Sequence, residues 1–262
     1  MTVVSRPGPT VAQLSDVLPT GEPMLSVVAR RTYTLERGRL VPADEQSPLV
    51  GQPVMDREHP LLLAADSDLY AYKPRSDVVI HGHAYATQGS GRAELVVRVD
   101  RHEHRVAVFG ERRVSLTGQR LRFSEPAPIE RVPLHHGSAY GGRDRGGEAV
   151  HGNPLLTDPS LVRGFEGVDL DAASPFIYPR NPAGRGYLVE STPGAVEQLQ
   201  LPLLEDPTDL LSPERIVAGW VDQWPRMPLP YATGWIDYNW YPRVAFFGIV
   251  PMVDFFEQPP RE

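Results

Sequence analysis

The stretch RAELVVRV, residues 92–99, places its leucine and two of its valines on one face and its charged residues on the other. An alternation with a period of two is typical of a β-strand that buries one side. The polar residues 100–104 predict a turn, and RVAVF, residues 105–109, is a suitable second strand. This part of the sequence therefore predicts an antiparallel hairpin.

Further segments have the same character. Residues 26–35 are rich in β-branched side chains and precede a predicted turn at 36–39, and residues 77–86 form another candidate strand. Between about 110 and 190 the sequence predicts mostly loops, including a turn-rich surface loop at 141–147. One short helix is predicted to start at Asp158 within this region, and another is predicted to start at Ser212, beyond it. We therefore predict a mainly β fold, an antiparallel sandwich or barrel-like domain with long Pro/Gly-rich loops. A mixed α+β arrangement is the alternative.

Composition excludes several classes of protein. The 262 residues carry a formal net charge of −7, which argues against nucleic acid as a partner. The chain has no cysteine, so it has neither disulfides nor thiolate metal ligands. No segment approaches the ~20 apolar residues that span a bilayer, and no secretory signal is recognisable. We expect a single cytoplasmic domain over residues 1–262, without membrane insertion.

Known catalytic motifs are missing from the sequence, and we expect no cofactor. There is no phosphate-binding loop, dinucleotide fingerprint, nucleophile elbow or zinc-protease motif. Four histidines are weak candidates for metal ligands, namely His81, His83, His102 and His104. The first two fall in one predicted strand and would point to the same side. If at least three of them converged, a metal-dependent hydrolase would be the alternative function.

The chain contains one lysine, Lys73, followed by Pro74 and Arg75. Proline biases the residue before it toward extended geometry, and Asp77 would face the same way as Arg75 in a strand. The segment is therefore interpreted either as an internal brace at the start of a strand or as a contact for a partner.

Five elements in order resemble a bacterial family, domain of unknown function 2169, which is associated with type VI secretion. The first is DLYAYKPRSDVVIHGHAYA at 68–86, and VFGER at 108–112 is the second. The others are PL at 133–134 with AYGG at 139–142, YPRNPAGRGY at 178–187, and LPLLEDP at 201–207. The resemblance covers about residues 25–230, and Leu203 departs from it because an asparagine is expected there.

The resemblance implies a non-enzymatic adaptor or chaperone that helps a protein effector associate with the spike of the secretion system or with its tip. A structural subunit of the machine is a further possibility. The motif residues would bind a partner or brace the motifs themselves, and they are Lys73, Arg75, Asp77, Arg112, Tyr140, Gly141, Gly142, Arg180, Asn181 and Arg185. The aromatic segment 231–256 is predicted to pack on the domain as closing strands of the core.

Overall fold

A computed structural model describes residues 8–17, 20–57, 63–69, 78–99, 102–151, 176–178, 181, 183–217 and 247–249. The chain divides into two compact units. Unit 1 comprises Met1–Arg57 and Leu63–Pro74, and unit 2 comprises Glu58–Leu62 and Arg75–Glu262. Compactness does not decide whether the units fold independently, so the single domain over 1–262 remains a prediction.

Unit 1 is built from β-hairpins. Its described strands are β1 (Thr10–Val17), β2 (Pro23–Arg30), β3 (Tyr33–Glu36), β4 (Arg39–Pro42), β5 (Val54–Met55) and β6 (Leu63–Ala65), which pair antiparallel as β1–β2, β3–β4 and β5–β6. Arg37 and Gly38, between β3 and β4, both have positive φ, as a two-residue hairpin turn of the primed type requires. The turn predicted at 36–39 is confirmed.

Polar side chains connect the segments of unit 1. Gln46 accepts a hydrogen bond from the Thr32 amide at 2.8 Å and donates to the Ala43 carbonyl at 2.8 Å. Asp68 pairs with Arg30 at 2.7 Å and accepts from the Val50 amide at 2.8 Å. Among the residues of this unit whose burial the structure describes, Ala43 alone is buried.

Unit 2 contains the remaining elements. Its described strands are β7 (Val78–Ile80), β8 (His83–Ala84), β9 (Arg92–Val99), β10 (His102–Phe109), β11 (Val114–Thr117), β12 (Arg120–Phe123), β13 (Val132–Pro133), β14 (Tyr140–Gly141), β15 (Arg185–Gly186), β16 (Leu204–Glu205) and β17 (Phe247–Ile249). The helices are α1 (Arg145–His151) and α2 (Pro193–Glu197), with a 3-10 turn at His136–Ser138.

Strand β10 organises unit 2 because it lies between β9 and β16 in a three-stranded antiparallel sheet. The predicted hairpin of 92–109 is confirmed, with His102 opposite Val99 and Phe109 opposite Arg92. The predicted alternation is confirmed too, since Leu95 and Val97 are partly buried while Glu94 and Arg98 are exposed. Val106 and Val108 of β10 are fully buried in one apolar cluster, and a second cluster surrounds Tyr140, Tyr178 and Leu188.

The predicted fold class is confirmed, since 41% of the described residues lie in strands and most of the pairings are antiparallel. Those strands do not close into a barrel. The C-terminal aromatic segment contributes β17, which pairs with β7, and the rest of 231–256 lies outside the described residues. No helix in the described part of the chain is long and apolar enough to cross a membrane.

Several local predictions were wrong. The glycine-rich residues 141–147 are largely buried and lead into α1, so they are not a surface loop. Residues 212–217 form a turn and a bridge from Val217 to Leu188 instead of starting a helix. Residues 26–35 belong to two strands, β2 and β3, and residues 77–86 contain two short ones, β7 and β8. The helix predicted from Asp158 lies outside the described residues.

Truncation of Val108 tests the central position of β10. Val108→Ala removes two buried methyl groups between β9 and β16, so we expect the free energy of unfolding to fall by ~2–3 kcal/mol. Val96→Ala is the matched control, because Val96 is exposed on the neighbouring strand, and its effect should stay within ~0.5 kcal/mol. Urea unfolding measures both, and equal effects would contradict this account of the sheet.

Candidate functional site

A buried ion pair joins two of the motifs. Strand β16 pairs with β10, so Glu205 lies opposite Ala107, five residues before Arg112. The Arg112 Nη2 group donates both to Glu205 Oε1 and to the Pro202 carbonyl, and both side chains are almost completely buried. VFGER and LPLLEDP are therefore linked by a strand pairing and by a charge pair.

The surroundings of this pair offset part of the cost of its burial. The Arg112 guanidinium lies over the Phe109 ring, 4.2 Å from its centroid, and the Leu211 amide donates to Glu205 Oε2 at 2.7 Å. Burial raises the pKa of the Glu205 carboxyl above its ordinary value, while Arg112 and the Leu211 amide act in the opposite direction. The carboxylate thus depends on Arg112 to remain charged.

Two other motifs meet backbone to backbone. Strands β14 and β15 are parallel, with Tyr140 opposite Arg185 and Gly141 opposite Gly186. The Gly142 amide donates to the Asn181 carbonyl at 2.8 Å, and the Tyr187 amide donates to the Gly141 carbonyl at 2.9 Å. AYGG and the loop that follows Arg180 therefore form one compact structure.

Glycine is required where these two segments touch. Gly141 and Gly142 both have positive φ, and a Cβ on Gly142 would lie 2.1 Å from the Gly184 carbonyl oxygen. A side chain would clash with backbone atoms, which have no freedom to move aside. This close approach explains why the sequence has two glycines after Tyr140.

The side chain of Asn181 fastens the contact from inside. Asn181 is fully buried, and its Nδ2 group donates to the His136 carbonyl at 2.7 Å and to the Tyr140 carbonyl at 3.0 Å. One side-chain amide thus supplies hydrogen bonds to a carbonyl of the 3-10 turn and to a carbonyl of β14. Asn181 acts as a brace within unit 2.

Further contacts connect the two motif pairs. Arg185 donates to Glu111 Oε2 at 2.7 Å, and the Leu203 amide donates to the Ser138 carbonyl at 2.8 Å. Residues 108–112, 138–142, 181, 183–187 and 201–205 thus assemble in one place, which we call the motif cluster. Arg185 of the 183–187 segment is thus paired with an acidic residue of the same unit.

Asp144 is a contributor that the sequence analysis missed. Its carboxylate accepts from the Gly147 amide at 2.7 Å at the start of α1, and from the Val189 amide at 2.9 Å. It thus joins a helix cap to the segment after β15. Asp144 is a residue type that commonly caps the start of a helix, and this was the available signal in the sequence. It was missed because residues 141–147 were expected to form a surface loop.

The tyrosines of the cluster pack against one another. The Tyr178 ring lies 5.1 Å from that of Tyr140 and 5.4 Å from that of Tyr187, measured between centroids. Burial raises the pKa of Tyr187 to about 12, with a smaller contribution from the charge of Asp144, and burial also raises the pKa of Tyr140. The phenols of Tyr140 and Tyr187 are therefore neutral at physiological pH.

The remaining predicted site residues divide into two groups. Lys73, Arg75, Asp77 and Arg180 lie outside the described residues. His81 and His83 are both exposed, and His81 precedes β8 instead of sharing a strand with His83. His102 and His104 are in β10, and their side chains also lie outside the described part. Among the residues that the structure describes, no group of three acidic or histidine side chains could hold a metal ion.

A second candidate site lies in unit 1, on one side of the β1–β2 hairpin. The alternate residues that point to this side are exposed, and none of them is charged. Leu25 and Val27 are 60% and 65% exposed. We call this surface the hairpin face, and its residues are Val11, Gln13, Ser15, Val17, Pro23, Leu25, Val27 and Ala29.

Comparison with known proteins identifies the family. The model of a family described as an uncharacterized protein conserved in bacteria (DUF2169) matches residues 20–257. The chain belongs to the DUF2169 family. The match extends beyond the 25–230 covered by the resemblance, so the whole aromatic segment 231–256 is included. No curated protein and no solved structure matches this DUF2169 chain significantly.

Removal of one partner from the buried pair should destabilise the DUF2169 protein strongly. Arg112→Met leaves Glu205 buried without its cation, and we expect a loss of ~3–5 kcal/mol in the free energy of unfolding. The double variant Arg112→Met/Glu205→Leu should recover much of that loss, because no buried charge remains. Urea unfolding of the wild type, of Arg112→Met, of Glu205→Leu and of the double variant gives the coupling free energy between the two side chains.

The exposed pair of Arg92 and Glu125 is the control for this cycle. Arg92→Met should change stability by less than ~1 kcal/mol, since exposed pairs contribute little. If Arg112→Met were equally mild, the pair would not hold the motif cluster together.

Alkaline pH should weaken the tyrosine packing. A phenol whose pKa is about 12 in the folded state and ~10 in the unfolded state stabilises the fold fully below pH ~10. That stabilisation, ~3 kcal/mol for Tyr187, is lost as the pH rises to about 12. Urea midpoints between pH 8 and pH 11.5 should therefore fall less steeply for Tyr187→Phe than for the wild type. Tyr85→Phe, at an exposed position, should leave the slope unchanged.

Proposed function

We propose that this protein is a non-enzymatic adaptor or chaperone of a bacterial type VI secretion system. In this proposal it helps an effector in the cytoplasm associate with the spike or the spike tip. The resemblance of its motifs to a family associated with type VI secretion supports the assignment to this secretion system. The surface of unit 1 supports a role in protein binding.

The observation that carries the proposal is the uncharged, exposed hairpin face. This face carries exposed large apolar side chains, among them Leu25 and Val27, beside the polar Gln13 and Ser15. Exposed apolar side chains that lie together are a common feature of protein-binding surfaces. Leu25 and Val27 are more than half exposed, so these apolar side chains are accessible to a partner. A recognition surface of this kind suits an adaptor.

The contacts within the motif cluster also support the proposal. Its charged side chains are engaged with one another, Arg112 with Glu205 and Arg185 with Glu111. Its buried amide, Asn181, donates to main-chain carbonyls. Side chains engaged in this way brace a scaffold, and the scaffold leaves recognition to other surfaces.

Reconstitution with the proteins encoded beside its gene tests the proposal. Tagged protein, co-expressed with the neighbouring spike and effector proteins, should recover one of these identified partners, and the complex should reform from purified components. Leu25→Asp should weaken recovery by ~10-fold or more, because it places a charge in the apolar contact. Val96→Asp, on an exposed site of β9, is the control and should not.

Lys73→Ala belongs in the same experiment. Loss of the partner in this variant, with folding retained, would place the Lys73 motif at the contact, whereas normal recovery would favour the bracing interpretation. Failure of the folded wild-type protein to bind either the spike or the effector would contradict the adaptor function.

A further inference from the structure

We propose that the outer side of the β11–β12 hairpin binds an acidic segment of a partner protein through three arginines. This surface differs from the hairpin face in its residues and in its chemistry, so it does not depend on the adaptor function. We call it the arginine face, and its residues are Arg113, Ser115, Thr117, Arg120, Arg122 and Ser124.

Alternation along the two strands separates the arginine face from an apolar side. Val114, Leu116, Leu121 and Phe123 are partly buried and pack against the apolar cluster around Tyr140. The alternate residues on the opposite side are all exposed, and each of them is an arginine, a serine or a threonine. One side of the hairpin is therefore held by the core of unit 2, and the other side faces solvent.

Strand pairing brings the three arginines together. Arg120 and Arg122 are two residues apart on the same side of β12, which places their backbones ~6.8 Å apart at ~3.4 Å per residue. The Ser124 amide donates to the Arg113 carbonyl at 2.8 Å, so the antiparallel pairing continues past the ladder and makes Arg113 a diagonal neighbour of Arg122. Diagonal neighbours on one side of a sheet are ~7–8 Å apart. Each arginine thus lies close to the next.

The arginine face does not supply its own counter-charges. It contains no acidic residue, and within the described part of the chain none of its three arginines forms an ion pair. Glu111 precedes the hairpin and pairs with Arg185 at 2.7 Å. Glu125 follows it and pairs with Arg92 at 3.3 Å. Like charges this close repel one another, and a bound anion would relieve that repulsion.

The β9–β10 hairpin of the same unit differs, because its exposed arginines are compensated. Arg98 pairs with Glu103, which lies opposite it on β10. Arg105 pairs with Glu94 and with Glu103, each at 2.6 Å. This hairpin therefore balances its positive charges internally, whereas the arginine face leaves them to counterions or to a partner.

The side chains of the arginine face suit carboxylates. A guanidinium is a planar fork that can donate two parallel hydrogen bonds to one carboxylate. Ser115 lies opposite Arg122 and Thr117 lies opposite Arg120, so a hydroxyl donor accompanies each of these arginines. A segment that carries several glutamates or aspartates complements this surface in charge and in hydrogen bonding.

The remainder of the chain favours a short acidic segment over larger polyanions. The whole chain has a formal net charge of −7, and charges are screened beyond ~8 Å at physiological salt. A short segment interacts mainly with the arginines, whereas nucleic acid or an anionic membrane extends to the acidic remainder of the surface. The arginine face also has no aromatic ring for stacking bases and no apolar side chain for entering a bilayer.

Synthetic peptides test the proposal with the full-length protein. The probe is a fluorescein-labelled peptide of alternating glutamate and serine, and its binding is measured by fluorescence anisotropy. Peptides of the same length with glutamine or with lysine in place of glutamate are the comparisons. Only the glutamate peptide should bind, and its affinity should fall by ~3-fold or more when the salt is raised from about 50 to about 300 mM.

Substitutions locate the binding surface. Arg120→Gln/Arg122→Gln should weaken binding by ~5-fold or more, because it removes two of the three charges. Arg120→Lys/Arg122→Lys keeps the charges and should stay within ~3-fold of the wild type. Arg98→Gln/Arg105→Gln is the matched control, since it removes the same charge from paired arginines, and it should change the affinity by less than ~2-fold. Circular dichroism and thermal melting establish that each variant is folded.

Other outcomes would overturn the inference. Absence of binding by the glutamate peptide would contradict it directly, and an equal loss in the β9–β10 control would show that only the net charge matters. A lysine variant as weak as the glutamine variant would exclude charge as the basis of binding. If a labelled oligothymidine or phosphatidylserine vesicles bound more tightly than the peptide, and the glutamine variant lost that binding, nucleic acid or a membrane would be the occupant. None of these results bears on the adaptor function, which recovery of the spike or effector tests separately.

Discussion

The buried pair of Arg112 and Glu205 is the interaction on which the motif cluster depends. Two charges removed from water must satisfy each other and nearly every remaining hydrogen-bonding group, or the fold loses several kcal/mol. Here the Pro202 carbonyl, the Phe109 ring and the Leu211 amide all take part. Consequently the end of β10 and residues 201–211 must be positioned at the same time. This favours the native packing of the two segments over packings in which the charges are unpaired.

Close backbone contact is the second constraint, and it explains the glycines. Gly142 has a conformation and a clearance that leave no room for a side chain, and Asn181 holds the facing loop through carbonyls. These residues therefore act on each other inside unit 2. The motif residues named here are engaged with one another, and the hairpin face is the surface that we propose for a partner.

Unit 1 presents the contrasting case. Its connections are held by side chains such as Gln46 and Asp68, while apolar residues of β1 and β2 remain exposed. Burial of apolar surface is the main driving force of folding and association. Covering the exposed apolar side chains of this strand face with a partner would therefore be favourable. Unit 2 is thus braced by buried polar contacts, whereas unit 1 leaves apolar side chains of its first hairpin exposed.

The sequence by itself determined the elements whose signal is local. A period of two in 92–99 predicted β9, the following residues predicted β10, and ERGR at 36–39 predicted the turn of β3–β4. It also indicated Arg112, Tyr140, Gly141, Gly142, Asn181 and Arg185, although not what each would contact. Only the tertiary structure decided that Arg112 meets Glu205, 93 residues away, because pairing over such a separation leaves no local pattern. Helices α1 and α2 and the burial of 141–147 escaped prediction for a related reason. Helices of seven and five residues are too short to show helical periodicity, and packing against distant segments stabilises them.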